Sequence, residues 1–265
     1  MDFFSAALLG LVEGLTEFIP VSSSGHLILV RQLLHLQTET GLSFDAVIQL
    51  ATILAVIIYF RKDLWKLGET GFRMVARKPV DLSSKTLGWG IILGTIPAAI
   101  FGLLLEKKLD TVFRSPHLVA YALIAGSILF WFAERYARNN KMLDIKSAVK
   151  IGLYQCLALV PGMSRSGATI SGGLLEGLTR QEATRFSFLL SVPILVASGL
   201  KKAYELWQTG VLTALGPDLL LASVIAFFAG LASIHFLITY LKNHTLKAFI
   251  VYRIALAIIV LIFVG

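Results

Sequence analysis

The chain has 265 residues, of which 56% are hydrophobic and only 15% charged, and its mean hydropathy is +0.78. Soluble domains carry about 25% charged residues, so this composition excludes a water-soluble globular protein and indicates an integral membrane protein. The net charge of +8 resides in short segments between apolar runs, with no basic-aromatic patch. Nucleic acid is therefore excluded as a partner, and anionic lipid headgroups are the expected contacts.

The N-terminal Met1-Asp2-Phe3-Phe4 lacks a basic region, so no cleavable signal peptide is expected. Residues 3–18 form an apolar helix that stops before Pro20 and carries Glu13 and Glu17. A second short apolar helix follows over about 24–36. Neither is long enough to cross a hydrocarbon core of roughly 30 Å comfortably. Joined by a Pro/Ser/Gly turn, they read as a re-entrant hairpin, which is tolerated at membrane depth only inside protein or beside a wet cavity.

Spans are expected at 42–60, 86–105 and 117–136, after which the pattern recurs. Residues 147–177 again hold two short apolar pieces around a Pro/Ser/Gly turn, followed by spans at 183–203, 217–241 and 247–264. The single cysteine, Cys156, lies in an apolar run and reads as packing. Aligned at Pro20 and Pro161, the two turns match with one extra residue in the second; Phe44 then pairs with Phe186, and Val119-Ala120-Tyr121 with Ile250-Val251-Tyr252. The expected fold is thus an all-α polytopic membrane protein made of two repeats, about 1–138 and 145–265. Each contributes one re-entrant hairpin and three spans. Three spans reverse direction, so the second repeat is inverted and the hairpin tips meet near the midplane.

Basic residues orient this arrangement. Arg61, Lys62, Lys66, Arg73, Arg77, Lys78 and Lys85 fall in one connecting segment, and Arg135, Arg138, Lys141, Lys146 and Lys150 in another on the same side, with Arg180, Arg185, Lys242 and Lys247. Only Arg31, Lys107, Lys108, Arg114, Lys201 and Lys202 fall opposite. The richer side is read as cytoplasmic.

The chemistry concentrates at the two tips. Glu13 and Glu17, four apart on one helix face, are like charges at membrane depth and need a reason to be there. Shared metal coordination would supply one, as would acid-base work by a carboxylate of raised pKa; a headgroup position for Glu13 is the bland alternative. Ser22, Ser23 and Ser24 open the second short helix, whose free N–H groups suit a phosphate. His26 stands in its first turn, so serine and histidine together permit a nucleophile and base, or histidine itself as the nucleophile. At the second tip Arg165, between Ser164 and Ser166 and before Thr169, has the planar fork that fits phosphate oxygens; its alternative is a structural pair with Glu17. Arg253 in the last span is a second candidate cation, or a residue snorkelling to headgroups. Asp45, Gln49 and Gln155 are polar residues in apolar runs and are candidates to line a cavity. Together these residues indicate a phosphorylated lipid as the substrate.

Over Glu13 to His26, and over Pro161 to Thr169 with Ile170-Ser171-Gly172-Gly173 beyond, the chain resembles the undecaprenyl-diphosphate phosphatase family, also known as bacitracin-resistance proteins. Family members often have threonine where Ser24 stands. The resemblance covers the whole chain and implies a multi-pass bacterial plasma-membrane enzyme with an interlocked inverted repeat. Such an enzyme releases phosphate from undecaprenyl diphosphate to recycle the carrier for cell-wall synthesis. It further implies a divalent cation, Mg2+ or Ca2+, at Glu13 and Glu17, and a site accessible from the outer face. Ser23 and His26 would then share nucleophile and base, in an order left open, with direct attack by water as the third route. Arg165, with Ser22, Ser24, Ser164, Ser166, Thr169 and Arg253, would hold the phosphates. The competing class is a transporter or flippase of a phosphorylated polyprenyl lipid, with a phosphate channel behind it. Monomer and homo-oligomer are both open.

Overall fold

A computed structural model describes residues 2–36, 41–111, 115–208 and 210–263. Arg114 of the charge balance, the side chains of Lys107 and Lys108, and Val264 at the end of the last expected span lie outside that description. Among the described residues the regular structure is entirely helical: α1 (Phe3–Phe18), α2 (Ser23–Leu33), α3 (Gly41–Tyr59), α4 (Arg61–Val75), α5 (Leu82–Thr111), α6 (Pro116–Tyr136), α7 (Ile145–Leu157), α8 (Arg165–Leu175), α9 (Arg180–Gln208), α10 (Val211–Asn243) and α11 (Lys247–Phe263).

Four of these are long and apolar enough to cross a membrane: Leu82–Leu105, Pro116–Tyr136, Arg180–Gln208 and Gly216–Asn243. The 17 residues of α11 rise about 26 Å at 1.5 Å per residue, just short of the hydrocarbon thickness. Segment α3, with 19 residues, is followed after Phe60 by α4, from which it is bent by 77°.

Helix α4 corrects the expectation of a plain connecting loop at 61–85. Its Leu64, Leu67, Gly71 and Met74 share one stripe and, with Trp89 and Ile92 of α5, line a cavity of about 430 Å³. Arg61, Lys62, Lys66, Glu69 and Arg73 point away from it. An amphipathic helix averages to a polar window, so hydropathy alone conceals it.

The two short hairpin helices are anchored by close backbone approach. A Cβ at Gly10 would collide with the Ala222 carbonyl, and one at Gly152 with that of Gly94. Small residues four apart thus seat α1 on α10 and α7 on α5, as in packed membrane helices. The pairing of the halves is reciprocal: α1 with α10 as α7 with α5, α3 with α10 as α9 with α5, and α6 against α11.

One constant offset of 142 relates the hairpins, running from Asp2 to Asp144 and from Ser22 to Ser164. Asp2 caps α1 through the Ser5 amide and Asp144 caps α7 through that of Ser147. Ser22 and Ser164 likewise cap α2 and α8 through Gly25 and Gly167. The alignment at the prolines, with its inserted residue, already carries this offset from Ser22 and Ser164 through Phe44 and Phe186; the caps extend it upstream, where it puts Gly162, not Pro161, opposite Pro20. A cap is fixed by a side chain bonding a particular amide, whereas a proline in a turn need only lack an N–H.

Candidate active site

Both tips are built on the same strained turn. Ser22 sits at φ 76 and ψ 96, and Ser164 at φ 72 and ψ 114. Such positive φ in a non-glycine residue costs about 1–3 kcal/mol and persists only where the surroundings enforce it. They do so here: Ser22 Oγ accepts from the Gly25 amide at 3.3 Å and from the Gly162 amide of the other tip at 3.0 Å. Gly162 is itself at φ +101, and a Cβ there would meet the Val119 carbonyl at 2.6 Å.

Where the tips meet there is a cavity of about 180 Å³. Its polar wall comprises Glu17, the serines Ser22, Ser23 and Ser24, Gln49, Gln155, Ser164 and Arg165. Its apolar wall is Ala98, Ala158, Leu159, Ile194 and Leu195. The N-termini of α2 and α8 both open at this cavity, through Ser23 and Arg165, and bring the partial positive charge of two helices to one place.

Glu17 is the hub. Its Oε2 accepts from Ser23 Oγ at 2.5 Å and from Gln49 Nε2 at 3.3 Å, and its Oε1 accepts from Arg165 Nη2 at 3.1 Å. The Arg165–Glu17 pair is buried, with side chains 10% and 4% exposed, so solvent screens it little. Arg165 Nη1 donates to the Ser187 carbonyl at 3.3 Å, while its Nε is buried without a partner. The structural pairing of Arg165 with Glu17 and a place on the cavity wall therefore hold together.

Not every residue singled out in the sequence reaches this wall. Glu13 is fully buried behind it, not at the headgroups, and its Oε1 has no hydrogen-bond partner. The charged groups that act on Glu13 are Glu17, Asp45 and Arg165. His26 turns away: Nδ1 meets the Ser22 carbonyl at 2.8 Å and Nε2 the Tyr252 hydroxyl at 2.8 Å, with the two rings stacked. Three residues beyond Ser23 on a helix, it faces α11 and does not line the cavity. Ser166 and Thr169 are fully buried in α8; Thr169 Oγ1 bonds the Arg165 carbonyl at 2.8 Å and Ser187 Oγ at 2.6 Å, supporting the arginine from behind.

Arg253 is also placed differently from the expectation that it holds phosphate or snorkels. It is fully buried and clamps backbone: Gly162 at 2.9 Å, Leu123 at 3.1 Å, Ala122 at 3.4 Å and Pro20 at 3.5 Å, with Ser127 Oγ at 3.3 Å. Its guanidinium lies over Phe130 at 4.6 Å. It thus holds one carbonyl of each tip. Ser187, which supports both Arg165 and Thr169, was not marked by the sequence; the only signal for it was a hydroxyl inside an apolar run.

Residues 6–259 match the family model described as bacitracin resistance protein BacA. Among relatives named undecaprenyl-diphosphatase, one from Chloroherpeton thalassium is 43% identical over 275 residues, covering 98% of this chain and 96% of the relative. Another, from Corynebacterium striatum, is 44% identical over 270 residues, covering 100% and 95%. A third, from Mycolicibacterium smegmatis, is 42% identical over 271 residues, covering 100% and 98%. With its two serine-capped tips closing on one buried carboxylate and one arginine, and with this similarity along nearly its whole length, the chain belongs to the bacitracin resistance protein BacA family.

Proposed function

We propose that this chain is an integral membrane phosphatase that hydrolyses undecaprenyl diphosphate to undecaprenyl phosphate and inorganic phosphate, so recycling the lipid carrier for cell-wall synthesis. The observation that carries this reading is the Ser23–Glu17–Arg165 cluster in the cavity where the tips meet. A flippase needs to hold an anion but has no use for a hydroxyl poised on a carboxylate.

The geometry favours Ser23 over His26 as nucleophile, because Ser23 lines the cavity and already donates to Glu17. Ser23 Oγ attacks the terminal phosphorus and its proton passes to Glu17. The bond from that phosphorus to the bridging oxygen breaks, and undecaprenyl phosphate leaves. Water then attacks the phosphoserine: its oxygen bonds phosphorus, Glu17 returns the proton to Ser23 Oγ as the P–Oγ bond breaks, and water's protons leave with the phosphate. Arg165 and the N-termini of α2 and α8 neutralise the charge on the transferred group, which is where most phosphoryl-transfer catalysis resides.

A divalent cation, Mg2+ or Ca2+, fits this donor set. Glu13 presents a buried oxygen without a partner, and Glu17 stands one turn further along α1. Among the described residues no three His, Cys, Asp or Glu gather around one point, so phosphate oxygens and water would complete the shell. When bound, the cation supplies further neutralisation of phosphate charge. The two halves insert in opposite senses, with the cavity opening to the outer face.

Phosphate release from a polyprenyl diphosphate by purified protein in detergent micelles, with Mg2+ or Ca2+, tests the reading where translocation has no meaning. Release supports the phosphatase; lipid binding with no release in either cation overturns it in favour of the transporter. Protein quenched in denaturant at neutral pH, where phosphoserine and phosphohistidine both survive, should carry label on Ser23, and label on His26, or none, would refute serine attack.

A further inference from the structure

Gln155 sits on the cavity wall at the C-terminal end of α7, 3% exposed. Both its Nε2 and its Oε1 are buried without a hydrogen-bond partner. Among the described residues no other side chain has two atoms in that condition. A buried amide left unpaired loses its bonds to water and gains nothing in return, and fold stability alone would place leucine here. The amide is also not needed to seat the helix, since α7 is held on α5 through Ala148 and Gly152.

The offset that relates the hairpins puts Gln155 at the position of Glu13. The first half thus supplies a carboxylate at this register and the second a neutral amide. A carboxylate at 155 would add a negative charge to a cavity that already holds Glu17. An amide adds two N–H donors and leaves the charge unchanged. One other unpartnered donor belongs to a residue of the same wall, Arg165 Nε.

We propose that Gln155 is a substrate-binding residue whose Nε2 donates to a non-bridging oxygen of the diphosphate, alongside Arg165 Nε. This rests on the phosphatase reading above and names the group that holds the anion from the α7 side. No protein group partners the amide, and a diphosphate oxygen in the cavity would. The energy of this contact is realised on the diphosphate group.

The test compares wild type, Gln155→Leu and Gln155→Glu as full-length protein in detergent. It measures phosphate release from a polyprenyl diphosphate and the melting temperature with and without inorganic diphosphate. Gln155→Leu should lower kcat/KM about ten- to hundredfold, the range for a lost hydrogen bond to a charged group. It should also leave the ligand-free melting temperature unchanged or raised, and abolish the upward shift that inorganic diphosphate gives wild type. Gln155→Glu should be weaker still. Wild-type kcat/KM in Gln155→Leu, or a fall in activity matched by a fall in ligand-free melting temperature, would overturn the proposal. If wild type binds inorganic diphosphate but releases no phosphate from the lipid, the phosphatase reading fails, and the melting shift still decides whether Gln155 holds the anion.

Discussion

Ser22 Oγ accepts the Gly162 amide at 3.0 Å, so the helix cap of one tip is also a hydrogen bond to the turn of the other. The same oxygen accepts from Gly25 at 3.3 Å. One hydroxyl thus ends a helix, holds a backbone at φ 76 and joins the two halves. Ser22→Ala removes both bonds and retains the strain, and should destabilise the protein by about 1–2 kcal/mol, the cost of a lost cap. Ser22→Asn keeps an acceptor and tolerates the left-handed region, so it should recover most of that loss. Melting temperatures in detergent check both, and equal stability of Ala and wild type would show that the cap is dispensable.

Two arginines near the tips have different tasks, and replacement by lysine separates them. Lysine keeps the charge but loses the planar fork. Arg165→Lys leaves a cation beside Glu17 yet removes the donors arrayed along the cavity. It should cut kcat/KM by about a hundredfold, the cost of one or two charge-assisted hydrogen bonds, with melting close to wild type. Arg253→Lys cannot reach the carbonyls of Pro20, Ala122, Leu123 and Gly162 together. The carbonyls of Ala122 and Leu123 keep the bonds of helix α6, but each tip carbonyl, Pro20 or Gly162, left without a donor costs about 1–3 kcal/mol, so this variant should melt lower, with activity falling in step with the folded fraction. Kinetics and melting measured on the same samples check the separation; a stable but inactive Arg253→Lys would return that residue to the phosphate.

The pH response of the second hairpin follows from its cap. Asp144 Oδ1 accepts the Ser147 amide at 2.7 Å, and this bond, then the Ser147 hydroxyl and Lys141, hold the carboxyl down at about 2. The folded value lies below the unfolded one, so the contribution is present above the ordinary carboxylate range near pH 4 and is lost as pH falls through about 2. Asp144→Asn carries a neutral cap throughout. Its melting temperature should trail wild type by a constant margin from pH 8 to 5, and the margin should close below pH 4. A margin that changes between pH 8 and 5 would point to a different group.

Much of this site was legible because polar residues in apolar runs are costly and therefore conspicuous. Glu17, Ser23 and Arg165 stand out on that ground, and all three line the cavity. The same argument picks out His26 and Arg253 but cannot say which way they face. His26 is directed to Tyr252, and Arg253 to the backbone of both tips, by the packing of α11 against α6. Composition places each residue at membrane depth, while orientation depends on helix phase and on partners 91 to 233 residues away. Helix α4 was concealed for a different reason, since its two faces cancel in any average. The repeat was visible, and so was its register from the turns onward, since pairing Phe44 with Phe186 carries the same offset of 142 as the caps Ser22 and Ser164; only upstream of Pro20 and Pro161 do the prolines mislead, by one residue.

The three consecutive hydroxyls provide the sharpest test of the chemistry. They are adjacent in sequence, yet each has a different partner. Ser22 bonds backbone amides, Ser23 donates to Glu17 at 2.5 Å, and exposed Ser24 touches only Ser22 Oγ at 3.4 Å. If the reaction needed merely a polar rim around phosphate, Ser23→Ala and Ser24→Ala would each cost a few-fold. If Ser23 attacks phosphorus, its loss should lower kcat by about a thousandfold or more, as removal of a nucleophile does, leaving what binding and charge neutralisation supply. Ser24→Ala should stay within about fivefold of wild type, since a weak exposed hydrogen bond contributes well under 1 kcal/mol to any state. Single-turnover phosphate release, which is independent of product dissociation, distinguishes the two cases. Comparable losses at both positions would remove the nucleophile from this turn and leave water as the attacking group.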